Sequence, residues 1–317
     1  MQHRRLDFLA AISGLMIALQ ARANGELSHR LDNGLQAALV SFGSGLIIIV
    51  IVAIFNPSIK QGVRTLSKAV KERNLPSWTL FAGMLGGSFV AVQTQIVPLI
   101  GVAIYSVASI AGQSAISLVV DRIGLTGGGK KHITPRRVTA AFVTVFAVFI
   151  SVADRLDGRD LSIAAVILGV VAGAIVGIQR ALNGQINEHS QQSFTTSLLN
   201  CAMGTTFLTV LLLIAIVLGE TELSPLPAGP WWIYTGGVIG VVYIAFTSTI
   251  VQHLGVLTFT LISVGGQLVG SLLIDLLSPT EGVQVSIYLV VGIAMTYLGV
   301  IVGGVNNQRS QKRLNRE

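Results

Sequence analysis

Charge is what this chain has least of. Asp, Glu, Lys and Arg together make up 11% of its 317 residues, while 52% are hydrophobic and the mean hydropathy is +0.74. Soluble domains carry roughly 25% charge, so a water-soluble globular protein is excluded. Cysteine occurs once, at Cys201, which rules out an internal disulfide; inside an apolar run it is expected to act as a small buried hydrophobe. Neither His-Glu-x-x-His nor Gly-x-Ser-x-Gly occurs, and no metal-ligand cluster is apparent, so no catalytic residue and no metal ligand can be named. Gly124-x-x-x-x-Gly129-Lys130 imitates a phosphate loop, but Lys131 stands where Ser or Thr should bind magnesium, and no strand precedes it. No cofactor is expected. The formal charge of +7 would suit nucleic acid if it lay on one face. The basic residues instead fill the gaps between apolar runs, so the expected partners are the lipid bilayer and a small-molecule substrate, with no nucleic acid.

What the chain does have is apolar length and 35 glycines. A bilayer crossing takes ~20 apolar residues. Ten spans are predicted, at 6–25, 36–56, 78–97, 99–121, 136–153, 161–181, 195–218, 231–252, 254–277 and 284–304. Very short turns at Val97-Pro98 and near Gln252-His253 join the third span to the fourth and the eighth to the ninth. The basic stretch 60–73 is read as a solvated loop that sets orientation; an amphipathic surface helix is the alternative. Arg4-Arg5, an apolar run and Ala21-x-Ala23 imitate a cleavable signal peptide. The same segment recurs later in the chain, where no signal could sit, so it is expected to stay as span one.

With a cytoplasmic N-terminus, all but four of the 21 Lys and Arg fall on the inner side; the outer four are Arg22, Arg30, Arg155 and Arg159. Outer loops carry Asp154, Asp157, Asp160, Glu220, Glu222 and Glu281 instead. The positive-inside rule therefore predicts that both termini are cytoplasmic.

The chain also repeats itself. Gln20-x-x-x-Asn24-Gly25 returns as Gln179-x-x-x-Asn183-Gly184, and Ala10, Gly14 and Ala18 align with Gly169, Gly173 and Gly177 at the same offset of 159. Trp78, Gly83 and Gly87 align with Trp231, Gly236 and Gly240, and Gly112-Gln113 and Asp121 with Gly266-Gln267 and Asp275. Five spans per copy is an odd number, so the second copy must enter the membrane from the opposite side. The basic loops after spans two and four have second-half counterparts, at 219–230 and 278–283, with no Lys or Arg. The expected fold is an all-α integral membrane protein of ten transmembrane helices in two inverted five-helix repeats. The first repeat occupies 1–156, the second 157–306, and a basic cytoplasmic tail 307–317.

Polar side chains are costly in a bilayer, which makes each one informative. Gln20 and Gln179 are expected to line a cavity between facing helices. Asn24 and Asn183, next to glycines, serve either that cavity or the helix ends and neighbouring helices. Gln113 and Gln267 follow glycines as symmetry mates, and each can bind substrate or pack. Tyr105, Ser109, Tyr243, Thr258 and Ser263 can add hydroxyls. Arg22 and Arg180 can attract an anionic or carboxylate-bearing solute, or snorkel to headgroups. Asp121 and Asp275 close their spans and are expected in membrane-edge ion pairs. No Asp, Glu or Lys falls in the middle of a span, which disfavours a strongly cationic solute. The glycine strips are assigned to helix crossing within the chain, with a homodimer left open.

These residues resemble the YdcZ-like branch of the drug/metabolite transporter (DMT) superfamily. The likeness rests on Gly14…Gln20-x-x-x-Asn24-Gly25, Gly112-Gln113…Asp121, Ile133-Thr134-Pro135-Arg136-Arg137 and the run Gly266 to Asp275, and it covers 8–304. It implies a bacterial inner-membrane transporter, ten helices around a central cavity and alternating access, with export of metabolites or drug-like molecules. It gives no substrate identity. The expected solute is neutral, zwitterionic or weakly anionic; the alternative function is a non-transporting ligand sensor or scaffold using the same cavity.

Overall fold

A chain this apolar can satisfy its backbone in lipid only by hydrogen bonding within each segment, and helices do that without partners. The computed structural model describes residues 2–125, 135–153, 163–254, 256–278 and 285–304, and among these no strand occurs. The helices are α1 (Gln2–Leu31), α2 (Gly34–Phe55), α3 (Pro57–Lys71), α4 (Ala82–Ile123), α5 (Pro135–Ser151), α6 (Ile163–Ser190), α7 (Ser193–Val217), α8 (Gly236–Leu254), α9 (Val256–Leu277) and α10 (Ile287–Gly304). Four segments are long and apolar enough to cross a membrane: Gly34–Phe55, Ser77–Val120, Ile163–Ser190 and Ser193–Val217. Shorter apolar stretches lie in α5, α8, α9 and α10. Large apolar side chains such as Ile51, Phe55, Leu213, Val217, Leu273 and Leu277 stay exposed, on a scale that a water-facing monomer avoids and that lipid accepts.

Local geometry recurs at the same offset as the sequence repeat. The α1–α2 turn places Asp32 in the left-handed region at φ 50, and the α6–α7 turn does the same with Gln191 at φ 53. The next residue caps the following helix in both turns. Asn33 accepts from the Gln36 amide at 2.9 Å, and Gln192 from the Phe194 amide at 3.3 Å. Proline then introduces a 3₁₀ turn twice, Pro76 before Ser77–Phe81 and Pro230 before Trp231–Tyr234. Proline suits that place because its ring fixes φ and it has no amide to leave unpaired.

The glycines set how the helices cross. α4, the most buried of the helices with a candidate span, packs most extensively on α6, and α1 on α9. A methyl group at Gly173 of α6 would overlap the Ser109 carbonyl of α4, and one at Gly112 of α4 would overlap the Val170 carbonyl of α6. The other pair repeats this: Gly14 meets Ser263 of α9, and Gly266 meets Ala11 of α1. Backbone thus lies directly on backbone at both crossings, which only glycine permits.

Several boundaries differ from the sequence reading. α1 and α6 run on to Leu31 and Ser190, past Gly25 and Gly184, so Asn24 and Asn183 lie inside helices and do not cap their ends. Leu27, Leu31 and Ile186 are buried in those last turns, and their packing keeps the turns helical despite the polar residues between them. The break in α4 falls at Gly101 (φ 80, ψ 166), with Pro98 kept inside the helix. That backbone conformation is one only glycine adopts readily, so the glycine outweighs the proline as the turning point. α8 likewise continues to Leu254, beyond the predicted turn at Gln252-His253.

The loop expected over 60–73 is largely helical. α3 buries Ile59, Gly62, Leu66 and Ala69 against the rest of the protein, and exposes Lys60, Arg64, Lys68 and Lys71. Spacings of three and four put each set on its own face. Asn56 caps it, accepting from the Ser58 amide at 3.0 Å, and Thr195 Oγ1 of α7 donates to the Ile59 carbonyl at 3.2 Å. A groove of about 750 Å³ between α3 and the α6–α7 turn is lined by Lys60, Arg64, Gln61 and Gln192 among others.

Candidate functional site

The predicted site residues divide into three groups. Gln113, Arg180 and Tyr243 come together across three helices. Arg180 of α6 donates through one terminal nitrogen to Gln113 Oε1 of α4 and through the other to the Tyr243 hydroxyl of α8 at 2.8 Å. Gln113 Nε2 in turn donates to Ser109 Oγ at 3.1 Å, so the chain of bonds starts one turn back along α4. Gln113 and Tyr243 are buried and the arginine is half-buried. Its Nε is buried with no acceptor, and no carboxylate pairs with its guanidinium among the described residues. A guanidinium offers five donors in a planar fork, and here only neutral oxygens answer it.

The second group ties helices to one another. Gln179 Nε2 donates to Asn200 Oδ1 at 2.8 Å, and Asn200 Nδ2 donates to Asn183 Oδ1 at 2.7 Å. α6 is thereby laced to α7 by a closed amide network at a position where sequence reading named two of the three members. In the other half, Asn24 Nδ2 donates to Gln93 Oε1 at 3.2 Å, and Gln93 Nε2 reaches the Tyr105 hydroxyl at 3.5 Å. Tyr105 is wholly buried, its ring 6.1 Å from that of Phe89. Gln20 Nε2 donates to the Gly236 carbonyl at 3.1 Å, and Gly240, where a methyl group would lie 2.9 Å from that nitrogen, leaves room for it.

The third group stands apart. Arg22 pairs with Glu26 at 3.2 Å, a carboxylate it shares with Arg30 at 2.8 Å, donates to Ser278 Oγ at 3.1 Å and lies 5.7 Å over the Trp232 ring. Gln267, the mate of Gln113, is 1% exposed and its Nε2 has no partner. Asp275 was expected at a membrane edge and is instead 3% exposed. Its two oxygens accept from the Val102 amide at 3.3 Å and the Ala103 amide at 2.7 Å, the first residues of the helix that restarts after Gly101. A carboxylate there answers both the unpaired amides and the positive end of the helix dipole. The side chains of Asp121 and Thr258, and the segments 126–134 and 154–162, lie outside the described residues.

Sequence reasoning missed Asn200 and Gln93. Each is a wholly buried amide within an apolar helix, and the expense of such a group in lipid was signal enough to flag them.

Comparison with known proteins now has a geometry to attach to. The profile of the family described as "Putative inner membrane exporter, YdcZ" (DMT_YdcZ) matches residues 6–150 and again 164–302. The chain belongs to this family. The family's description is that of an exporter, which is not an enzyme class, and the apolar helices agree with a multi-pass inner-membrane protein. A solved structure described only as "Crystal structure of protein" matches with a TM-score of 0.58 and 17% identity over 96% of each chain. At that identity the likeness speaks for the fold alone. No curated protein matches this YdcZ-family chain in sequence.

Proposed function

We propose that this YdcZ-family chain is a secondary transporter that exports small neutral, zwitterionic or weakly anionic solutes across the inner membrane by alternating access. Its ten spans form two inverted five-span units, 1–156 and 157–306. Both termini and the tail 307–317 face the cytoplasm. α4 contributes two of the spans, and α3 lies along the cytoplasmic surface, its basic face following the positive-inside rule. The observation that carries the reading is the pair of reciprocal glycine crossings, α1 on α9 and α6 on α4. Smooth backbone contacts in equivalent places in both halves let one pair close while the other opens, which is how inverted repeats alternate access. The polar group of Gln113, Arg180 and Tyr243 supplies a binding position in the interior, and Gln20 and Gln179 mark the paired helices that flank it.

The test is a thermal-shift screen of purified protein against amino acids, monocarboxylates and neutral amides, followed by counterflow of the most stabilising compound in proteoliposomes. Accumulation of label above that in empty liposomes is the expected result. A compound that binds saturably and is never carried would favour the sensor or scaffold instead.

A further inference from the structure

We infer that the Arg180 group is a recognition site for the carboxylate of a singly charged organic anion. This rests on the transporter reading for its purpose but not for its chemistry. A guanidinium held between helices without a counter-charge is costly, and proteins usually keep such a cation because something anionic completes it. Arg180 meets that description: its described partners are the Gln113 carbonyl oxygen and the Tyr243 hydroxyl, and its buried Nε donor is unanswered. Tyr243 still has its own proton to donate. The guanidinium fork is the shape a carboxylate accepts bidentately, and the phenol hydroxyl lies 2.8 Å from one of its terminal nitrogens as a further donor.

The duplication supplies an internal control. At the offset of 159 the residue equivalent to Arg180 is Ala21, and at 153, the offset of Gly87 and Gly240 beside it, the residue equivalent to Tyr243 is Val90. Ser109 and Gln113 keep their mates, Ser263 and Gln267. The arginine and the phenol are therefore present in one half alone, while the serine–glutamine framework is common to both. Helix packing alone asks for no such difference between equivalent positions. The other arginine near the motifs, Arg22, already has a carboxylate partner in Glu26, which it shares with Arg30.

Binding is measured on purified protein in detergent with matched probes: benzoate against benzamide, propionate against propionamide, and inorganic phosphate and chloride separately. The carboxylates are expected to raise the unfolding midpoint and the amides to leave it unmoved. Arg180→Gln should weaken carboxylate binding at least tenfold, and Arg180→Lys should restore it only in part, since the charge returns without the fork. Should Arg180→Gln fold poorly, Tyr243→Phe removes a single hydroxyl and should weaken binding several-fold. Equal response to acids and amides, benzoate binding that survives Arg180→Gln, or a response confined to phosphate or chloride would each overturn the assignment. Counterflow keeps the two readings separate. Arg180-dependent binding without flux leaves the site standing and removes the transporter, whereas flux of a neutral amide untouched by Arg180→Gln does the reverse.

Discussion

Replacing Gly173 by alanine should push two helices apart, and its consequence can be worked through. The added methyl would lie 2.6 Å from the carbonyl carbon of Ser109, where carbon atoms rest comfortably at about 3.5–4.0 Å. α6 must therefore retreat from α4 by about 1 Å, loosening every contact along the crossing. Overpacking of this kind costs about 1–3 kcal/mol. Alanine recovers about 0.5–1 kcal/mol as a better helix former than glycine. The net change is about 0–2.5 kcal/mol of lost stability, and about 1–3 kcal/mol relative to a control alanine that meets no neighbour. Gly112 sits on the same crossing, 2.8 Å from Ala174 N by the same construction, so Gly112→Ala should cost a similar amount. The double variant should cost less than the sum, because the helices part only once. Gly184→Ala and Gly43→Ala are the controls: nothing lies within 4 Å of a methyl group at either place, and both should be neutral or slightly stabilising. The assay is unfolding in one detergent followed by tryptophan emission, with Gly14→Ala and Gly266→Ala as the equivalent pair at the α1–α9 crossing. Gly173→Ala unfolding at the same midpoint as Gly184→Ala would refute the reasoning.

Asn200→Leu keeps the volume of the side chain and removes the centre of the α6–α7 amide network, stranding Gln179 and Asn183. At about 0.6–1.7 kcal/mol for a hydrogen bond within a membrane protein, the loss should be about 1–2 kcal/mol, visible as a lower unfolding midpoint; an unchanged midpoint would show that the network contributes no stability. Asp275→Ala leaves the amides of Val102 and Ala103 without that acceptor at a buried helix start, at about 1–3 kcal/mol for each unsatisfied group. Asp275→Asn, which keeps one acceptor oxygen, should recover part of the loss in the same unfolding assay.

Much of the architecture was legible because it follows from one-dimensional quantities. Apolar length predicts helices in lipid, and the helix pairs α1–α2 and α6–α7 fall close to the predicted spans. The repeated Gln-x-x-x-Asn-Gly motif located the two helices that carry the amides. Helix ends were less legible. Polar residues beyond Gly25 and Gly184 looked like the end of a span, because the packing that buries Leu27, Leu31 and Ile186 there is not written in the local pattern. Pro98 looked like the break in α4, yet a helix tolerates a proline more easily than it makes the turn that Gly101 allows.

By itself the sequence determined the helical class, the membrane as solvent and the repetition, since these depend on composition, segment length and spacing. Tertiary structure decided which polar residues share a site. Arg180, Gln113 and Tyr243 are far apart along the chain and meet only because glycine lets α4 and α6 touch backbone to backbone while α8 closes over them. Arg22 has its carboxylate partner four residues along its own helix, a spacing the sequence records; that no described carboxylate reaches Arg180 is decided by the packing of other helices around it.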